Sequence, residues 1–309
     1  MKLAAWKYFS VIMALVLALG TGVTVFNAAP AQAATLNVPV PYATIQAAID
    51  AAVTGDTINV AAGTYNEKLI ITGKNITIIG AGELPDTANT TRLSGTGVSG
   101  RMISIGTGLD VHISKIFIDG DDQTYSGLTV SDSEVTLEQC IFWYCGLNAN
   151  GGGLYAEGSN VTLNRCTFNE ADGNYGGGLY VIDSAVIMND CYFKYCGTNS
   201  GRGGGAICLD GSELIAQRCS FSNNEAPDGN GGGIHLMTTA DNCSANLSNC
   251  TFSGNSAAEG GAISAISDVA FADNVTLTNC TFYENGADSG CSLYQTANIT
   301  VGPPPTPPH

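Results

Sequence analysis

Between residues 140 and 282 the chain repeats one short phrase six times: a cysteine, one variable residue, then a phenylalanine. The pairs are Cys140/Phe142, Cys166/Phe168, Cys191/Phe193, Cys219/Phe221, Cys250/Phe252 and Cys280/Phe282, with intervals of 26, 25, 28, 31 and 30 residues between the cysteines. A drifting period of this length belongs to a solenoid whose coils tolerate insertions in their turns. Ahead of each cysteine runs an alternation, as in Val135/Leu137, Val161/Leu163, Val186/Met188, Leu214/Ala216, Ala245/Leu247 and Val275/Leu277. That is the period of a strand with one buried face. The alternation then breaks parity, because Cys166 follows Leu163 by three positions while Phe168 follows Cys166 by two. A corner between the two runs accounts for the break, and a third short strand follows the glycines of "GGGLY", "GGGAI", "GGGIH" and "GGAIS".

Three short strands per coil, each pairing in parallel with its equivalent about 4.8 Å away, predict an all-β, single-domain right-handed parallel β-helix of roughly eight to nine coils. Val161, Leu163, Cys166 and Phe168 are expected to point inward, and Thr162, Arg165 and Thr167 outward. In "VHISKIFIDGDD" Ile116 stands where later coils have cysteine, which marks that position as a buried apolar site. The glycines, together with Asn224, Asn255 and Asn285, each three residues after a column phenylalanine, are expected to accept the positive φ that the corners demand. "TIQAAIDAA" sets Ile45, Ile49 and Ala52 on one helical face, a short N-terminal helix suited to capping the open end of the solenoid. The expected organisation is residues 1–33 as signal peptide, 34–53 as cap, 54–301 as β-helix and 302–309 as a stiff proline-rich tail.

Two stretches resemble known families. "TIQAAIDAAVTGDTINVAAGTYNEKLIITGKNITIIGAG", Thr44 to Gly82, is similar to the opening of pectin-lyase-like β-helix proteins, including pectinesterases. Residues 140–294 resemble the GGA(I/L) and FxxN repeats of chlamydial polymorphic outer membrane proteins and of related bacterial and archaeal surface proteins, with FxxN intact at Phe221–Asn224, Phe252–Asn255 and Phe282–Asn285. Cys145 and Cys196 replace that asparagine in two units. Both resemblances imply the fold; both motifs serve coil geometry and leave the activity open.

The first residues carry Lys2 and Lys7, an apolar run, and then Ala31, Gln32 and Ala33 in the small-x-small form of a secretory cleavage site. Cleavage after Ala33 and a secreted or cell-surface location are expected, with no membrane span thereafter. A retained anchor is the alternative, because the apolar run to Phe26 is long. Beyond residue 33 the chain holds all 27 acidic residues and 9 of the 11 basic ones, a net charge of −18, which disfavours nucleic acid or anionic lipid as a partner. Of 11 cysteines, the six in one column are expected to be reduced, buried small hydrophobes, since neighbouring rungs hold their Cβ atoms farther apart than a disulfide accepts. Cys145, Cys196, Cys208, Cys243 and Cys291 lie outside that column and are left open to one or two bridges. No CxxC pair occurs, so no zinc site is expected.

The candidate chemistry is weighed against coil geometry. "DGDD", Asp119 to Asp122, resembles the paired aspartates of polygalacturonases, whose reaction needs two or three carboxylates around the scissile bond. Asp121, however, falls where other coils turn, and that family's GHG and RIK motifs are absent. The segments that supply the catalytic residues of pectinesterases are likewise absent. The residue before each column position forms an outward corner stripe: Lys115, Gln139, Arg165, Asp190, Arg218, Asn249 and Asn279. Within it Arg165, Asp190 and Arg218 are stacked neighbours, read either as a cross-strand charge ladder or as the arginine base of a lyase. Tyr155, Tyr180, His235 and Tyr294 share a third-strand position, interrupted by Ile207 and Ile263, either a sugar platform or a core stack. The binding candidates are therefore Arg165, Asp190, Arg218, Tyr155 and Tyr180, with no catalytic residue assigned. No cofactor or metal is expected, and calcium is the one ion left open at the acidic turn. The reading that follows is a non-catalytic β-helix repeat protein acting in adhesion, envelope structure or glycan binding, with a polysaccharide or cell-surface component as partner. The alternative is a polysaccharide lyase or glycoside hydrolase acting on uronate polymers.

Overall fold

In a computed structural model the described residues are 32–82, 89–121, 126–146, 149–198, 203–237, 242–266, 273–290, 292–295 and 298–302. Residues 1–31 of the expected leader, the proline-rich tail beyond 302, Asp122 and Cys291 lie outside them. From Ala33 the chain forms one compact unit, and among the described residues no helix is long and apolar enough to cross a membrane.

The unit is a parallel β-solenoid. One coil runs through Asn160–Asn164, Thr167–Asn169, Asp172–Gly173 and Leu179–Ile182. Each strand pairs in parallel with its counterpart in the next coil, Val161 with Val186, Phe168 with Phe193 and Leu179 with Ile207. Stacking generates four sheets, called here A, B, D and C in the order the chain visits them, with 11, 9, 5 and 9 strands. The expectation of three strands per coil is thus corrected downstream of residue 171, where a short fourth strand is inserted between B and C. The solenoid also begins earlier than residue 54, since Thr35–Val38 already pairs with Thr57–Val60 at the edge of sheet A.

The expected register holds at the test positions: Val161, Leu163, Cys166 and Phe168 are buried and Arg165 is exposed. The parity break has a local cause. Lys115, Gln139, Arg165, Asp190, Arg218, Asn249 and Asn279 all take φ between 52° and 56°. One left-handed residue between sheets A and B turns the chain and resets which side chains face inward. That conformation costs roughly 1–2 kcal/mol in a residue with a Cβ. It is held by ladder bonds such as Arg165 N–H to Asn189 O (2.8 Å) and Asp190 N–H to Gln217 O (3.0 Å).

A second corner follows sheet B, and here the asparagine expectation is corrected. The left-handed residues are Asn223, Gly254 and Glu284, one position before the asparagines. Asn224, Asn255 and Asn285 instead point inward and are buried. Asn224 Nδ2 donates to Phe193 O (3.2 Å) and to Asn255 Oδ1 (2.8 Å); Asn255 Nδ2 repeats this with Phe221 O (3.0 Å) and Asn285 Oδ1 (2.9 Å). Such a ladder satisfies buried amides that would otherwise cost about 1–3 kcal/mol each. In the two units with cysteine, the thiol does a similar job: Cys145 Sγ faces Ile118 O at 3.8 Å and Cys196 Sγ faces Phe168 O at 3.5 Å.

Inside, Phe142, Phe168, Phe193, Phe221, Phe252 and Phe282 form one continuous stack, with centroids 4.6–5.1 Å apart and planes within 11° of parallel. The ten described cysteines are all unpaired. This includes Cys145, Cys196, Cys208 and Cys243, for which bridges were left open. The glycine runs fit closely beside the stack. A Cβ on Gly177 would meet Gly197 O at 2.4 Å and Ala171 O at 2.5 Å, and one on Gly178 would meet the Phe193 ring at 2.8 Å.

Before the first full coil, α1 (Ile45–Ala51) buries Ile45, Ala48 and Ile49. Thr44 caps its start, Glu67 accepts from the N–H groups of Ile45 and Gln46 (both 2.9 Å), and Lys74 Nζ donates to Ile49 O and Ala52 O (both 2.8 Å). An anion at the N-terminus and a cation at the C-terminus match the helix dipole.

Candidate functional site

The sequence-derived candidates fall on two separate faces. Arg165, Asp190 and Arg218 lie on the corner between sheets A and B, and their stacking resolves into two ion pairs. Arg218 holds Asp190 through two bonds, Nε to Oδ1 (2.7 Å) and Nη2 to Oδ2 (2.8 Å), which keeps the Asp190 carboxyl below its ordinary range. Arg165 pairs with Glu138 instead. Both arginines are thus engaged by carboxylates, the arrangement of a charge ladder. Arg165 also edges a recess of about 420 Å³ on the outer face of sheet B, together with Gln139, Ile141, Trp143, Thr167, Asn169 and Tyr192.

Tyr155 and Tyr180 stand on sheet C. Leu154 and Ala156 face the core, so Tyr155 points outward. Its hydroxyl donates to Glu157 Oε2 at 2.9 Å, and burial followed by that carboxylate pushes its pKa up to about 12. Tyr180, in the next rung, is only 5% exposed. Its ring stacks on Tyr175 at 5.0 Å, and burial raises its pKa well above the ordinary value. The same outward row continues through Cys208, His235 and Ser264, which are buried although they face away from the core. The register thus corrects the expected interruptions of the row from Ile207 and Ile263 to Cys208 and Ser264. Neither sequence reading of this row, platform or core stack, describes all of it.

Extended upstream, the row floors a long groove. Ile70, Ser104, Thr129 and Tyr155 are register partners, and they floor a groove of about 780 Å³ that Lys68, Gly100, Arg101, Ser126, Ala149, Asn150 and Asn174 complete. A Cβ on Gly100 would sit 3.5 Å from Lys68 Nζ, so the Lys68 ammonium lies beside the turn that carries Arg101, and both cations line the groove. Neither Lys68 nor Arg101 forms an ion pair among the described residues. These two cations were missed in the sequence. The intervals back from Tyr155 to Thr129, Ser104 and Ile70 are 26, 25 and 34 residues, and the long last interval hides the alignment that would have exposed them.

The remaining candidates are absorbed by the fold. Asp119 is buried against Arg92. Asp121 occupies a left-handed turn and accepts from Thr96 Oγ1 at 2.9 Å. His235 is buried, and burial lowers its pKa to about 4. Among the described residues no group of three His, Cys, Asp or Glu side chains is placed to hold a metal ion.

Comparison with known proteins bears on the fold. No curated protein sequence matches the chain. Among solved structures, a pectin methylesterase from Aspergillus niger is 14% identical, covering 88% of this chain and 86% of that one with a TM-score of 0.46. A pectin methylesterase mutant in complex with a hexasaccharide is 12% identical, covering 87% and 94% with a TM-score of 0.43. Residues 102–302 match the family model for the right handed beta helix region. That span contains the Cys-x-Phe columns, both corners and most of the groove floor, and the chain belongs to the right-handed β-helix family.

Proposed function

We propose that this protein is a secreted or surface-displayed glycan-binding β-helix that holds an acidic polysaccharide in the groove outside sheet C and does not cleave it. The observation that carries the reading is that Lys68 and Arg101, from adjacent coils, line one groove floored by hydroxyls and Tyr155. In a chain with 9 basic residues beyond position 33, two cations without an ionic partner among the described residues are a concentration of unspent positive charge. Carboxylates of a uronate chain would neutralise them, serines and threonine would meet sugar hydroxyls, and Tyr155 would contact a ring face. The net charge of −18 acts at long range and is screened within about 8 Å at physiological salt, so the local cations decide the contact. None of the described lining residues is a carboxylate, which supports binding over acid–base hydrolysis. The signal peptide ending at Ala33, the likeness to chlamydial surface-protein repeats and closure of the first coil by α1 belong to the same proposal.

The test is binding of polygalacturonate to the purified protein across a salt series, with Lys68→Glu and Arg101→Glu beside it. Binding that weakens with salt and falls at least about ten-fold in either variant is expected. No binding in low salt would overturn the reading. Arg101 could also act as the base of a lyase, and this gives the alternative its one foothold. Unsaturated uronate ends that form with the protein and vanish in Arg101→Ala would establish it instead.

A further inference from the structure

The recess on the outer face of sheet B has a different chemistry. Along that face the outward residues of successive rungs are Ile141, Thr167 and Tyr192, with Trp143, Asn169 and Lys194 beside them. Large side chains therefore stand on the first and third rungs, and small ones lie between. Two rungs span about 9.6 Å. A slot of that width holds one saturated ring, with a van der Waals contact of about 3.5–4.0 Å on either side. One wall, Ile141 and Trp143, is fixed: Ile141 is buried, and the Trp143 indole lies 5.8 Å from the rings of both Phe117 and Tyr144. The other wall, Tyr192, is 55% exposed, although its neighbours along the sheet are only Thr167 and Ser220. The floor and rim carry the Thr167 hydroxyl, the Asn169 and Gln139 amides and Arg165.

Two further facts select the ligand. Among the described residues the Trp143 Nε1–H is buried without a hydrogen-bond partner, which costs stability. An acceptor oxygen brought into the slot would relieve it after a small turn of the indole. Arg165, the charged residue among those lining the recess, is paired with Glu138, and the Lys194 ammonium is turned to the Tyr195 ring, 4.6 Å from its centroid, so the described lining offers no unpaired charge. We propose that this recess is a second glycan site, which takes one neutral pyranose ring between Trp143 and Tyr192. It shares no residue with the sheet C groove and stands whether or not that groove binds acidic chains.

Trp143 is the only tryptophan beyond Trp6, so its emission reports on the slot. The full chain is titrated with neutral glucose, galactose and mannose oligosaccharides, with oligogalacturonate as the acidic probe and adenosine monophosphate as a flat heteroaromatic one. Trp143→Phe supplies the signal of Trp6. A saturable emission change with a neutral oligosaccharide is expected, weakened at least about ten-fold by Tyr192→Ala and unchanged by Arg101→Glu. Thr167→Tyr, an outward substitution that fills the slot, should abolish binding while the circular dichroism spectrum is kept. The proposal is overturned if no neutral sugar gives a saturable change, if adenosine monophosphate binds more tightly than every sugar, or if the emission change tracks protein concentration, which would make the recess a contact between copies. Loss of oligogalacturonate binding alone would count against the sheet C groove and leave this site standing.

Discussion

The outer row of sheet C begins as the floor of a groove and becomes a buried layer from Tyr180 to Ser264. Ile70 is 55% exposed, whereas Cys208 and Ser264 are fully buried and His235 is 4% exposed, yet all occupy one register on one face of one sheet. The difference lies in what precedes each strand. Arg101, Ser126, Gly152 and Gly177 are equivalent positions, as the ladder bonds Met102 N–H to Ser126 O, Gly127 N–H to Gly152 O and Gly153 N–H to Gly177 O show. Where the residue is Arg101 or Ser126, its side chain lines the open groove. In the later coils glycines bring the turn down onto the row: a Cβ on Gly203 would lie 2.8 Å from the His235 ring, and one on Gly260 would lie 3.1 Å from Ser264 Cβ. Tyr155, which follows Gly152, is the half-buried transition between the two regimes. An outward-facing residue in a solenoid is therefore a surface residue only if its turn leaves it so.

The comparison breaks most sharply at the turn. Gly177→Ala would drive a Cβ into two backbone oxygens that cannot move aside, and we expect it to cost more than about 3 kcal/mol. Arg101→Gly, at the equivalent upstream position, should change stability by less than about 0.5 kcal/mol. Denaturant unfolding of the two variants decides this, and equal losses would refute the account.

The two tyrosines sharpen it next. Tyr180→Ala removes a ring packed under its turn and should cost about 3–4 kcal/mol. Tyr155→Ala should leave the melting temperature within a few degrees of the parent and weaken polygalacturonate binding about ten-fold. If Tyr155→Ala melted as low as Tyr180→Ala, the row would have to be read as core throughout.

The smallest expected effect is set by pH. His235 is buried in its neutral form, and burial lowers its pKa from 6.5 to about 4. The unfolded chain takes up a proton first as pH falls, so this stability is complete above about pH 6.5 and is lost progressively down to pH 4, by about 3 kcal/mol in all. A His235→Asn variant should show a flatter profile over that window. An unchanged slope would mean that His235 is solvated.

Much of this molecule was legible because its order is one-dimensional. The parity break at Cys166, the inward run Val161, Leu163, Cys166 and Phe168, and the helix at Ile45 each depend on residues within one coil, and stacking merely repeats them. The sequence reading of Asn224 erred by one position because two needs sit side by side at that corner, a left-handed residue and a buried amide, and asparagine suits either. The fourth sheet was invisible because strands as short as Asp172–Gly173 carry no periodicity of their own.

The sequence by itself determined the coil: a side-chain period of two, broken at fixed corners, admits one inward face, and burial of that face selects the register. Only the tertiary structure decided the outside. Whether Lys68 and Arg101 line one groove, whether Trp143 and Tyr192 border one recess, and whether His235 is wet or dry depend on turns of unequal length brought together by stacking. Those surfaces gather residues from different coils, 33 positions apart for Lys68 and Arg101, and no hydrophobic period constrains the residues of an outward row.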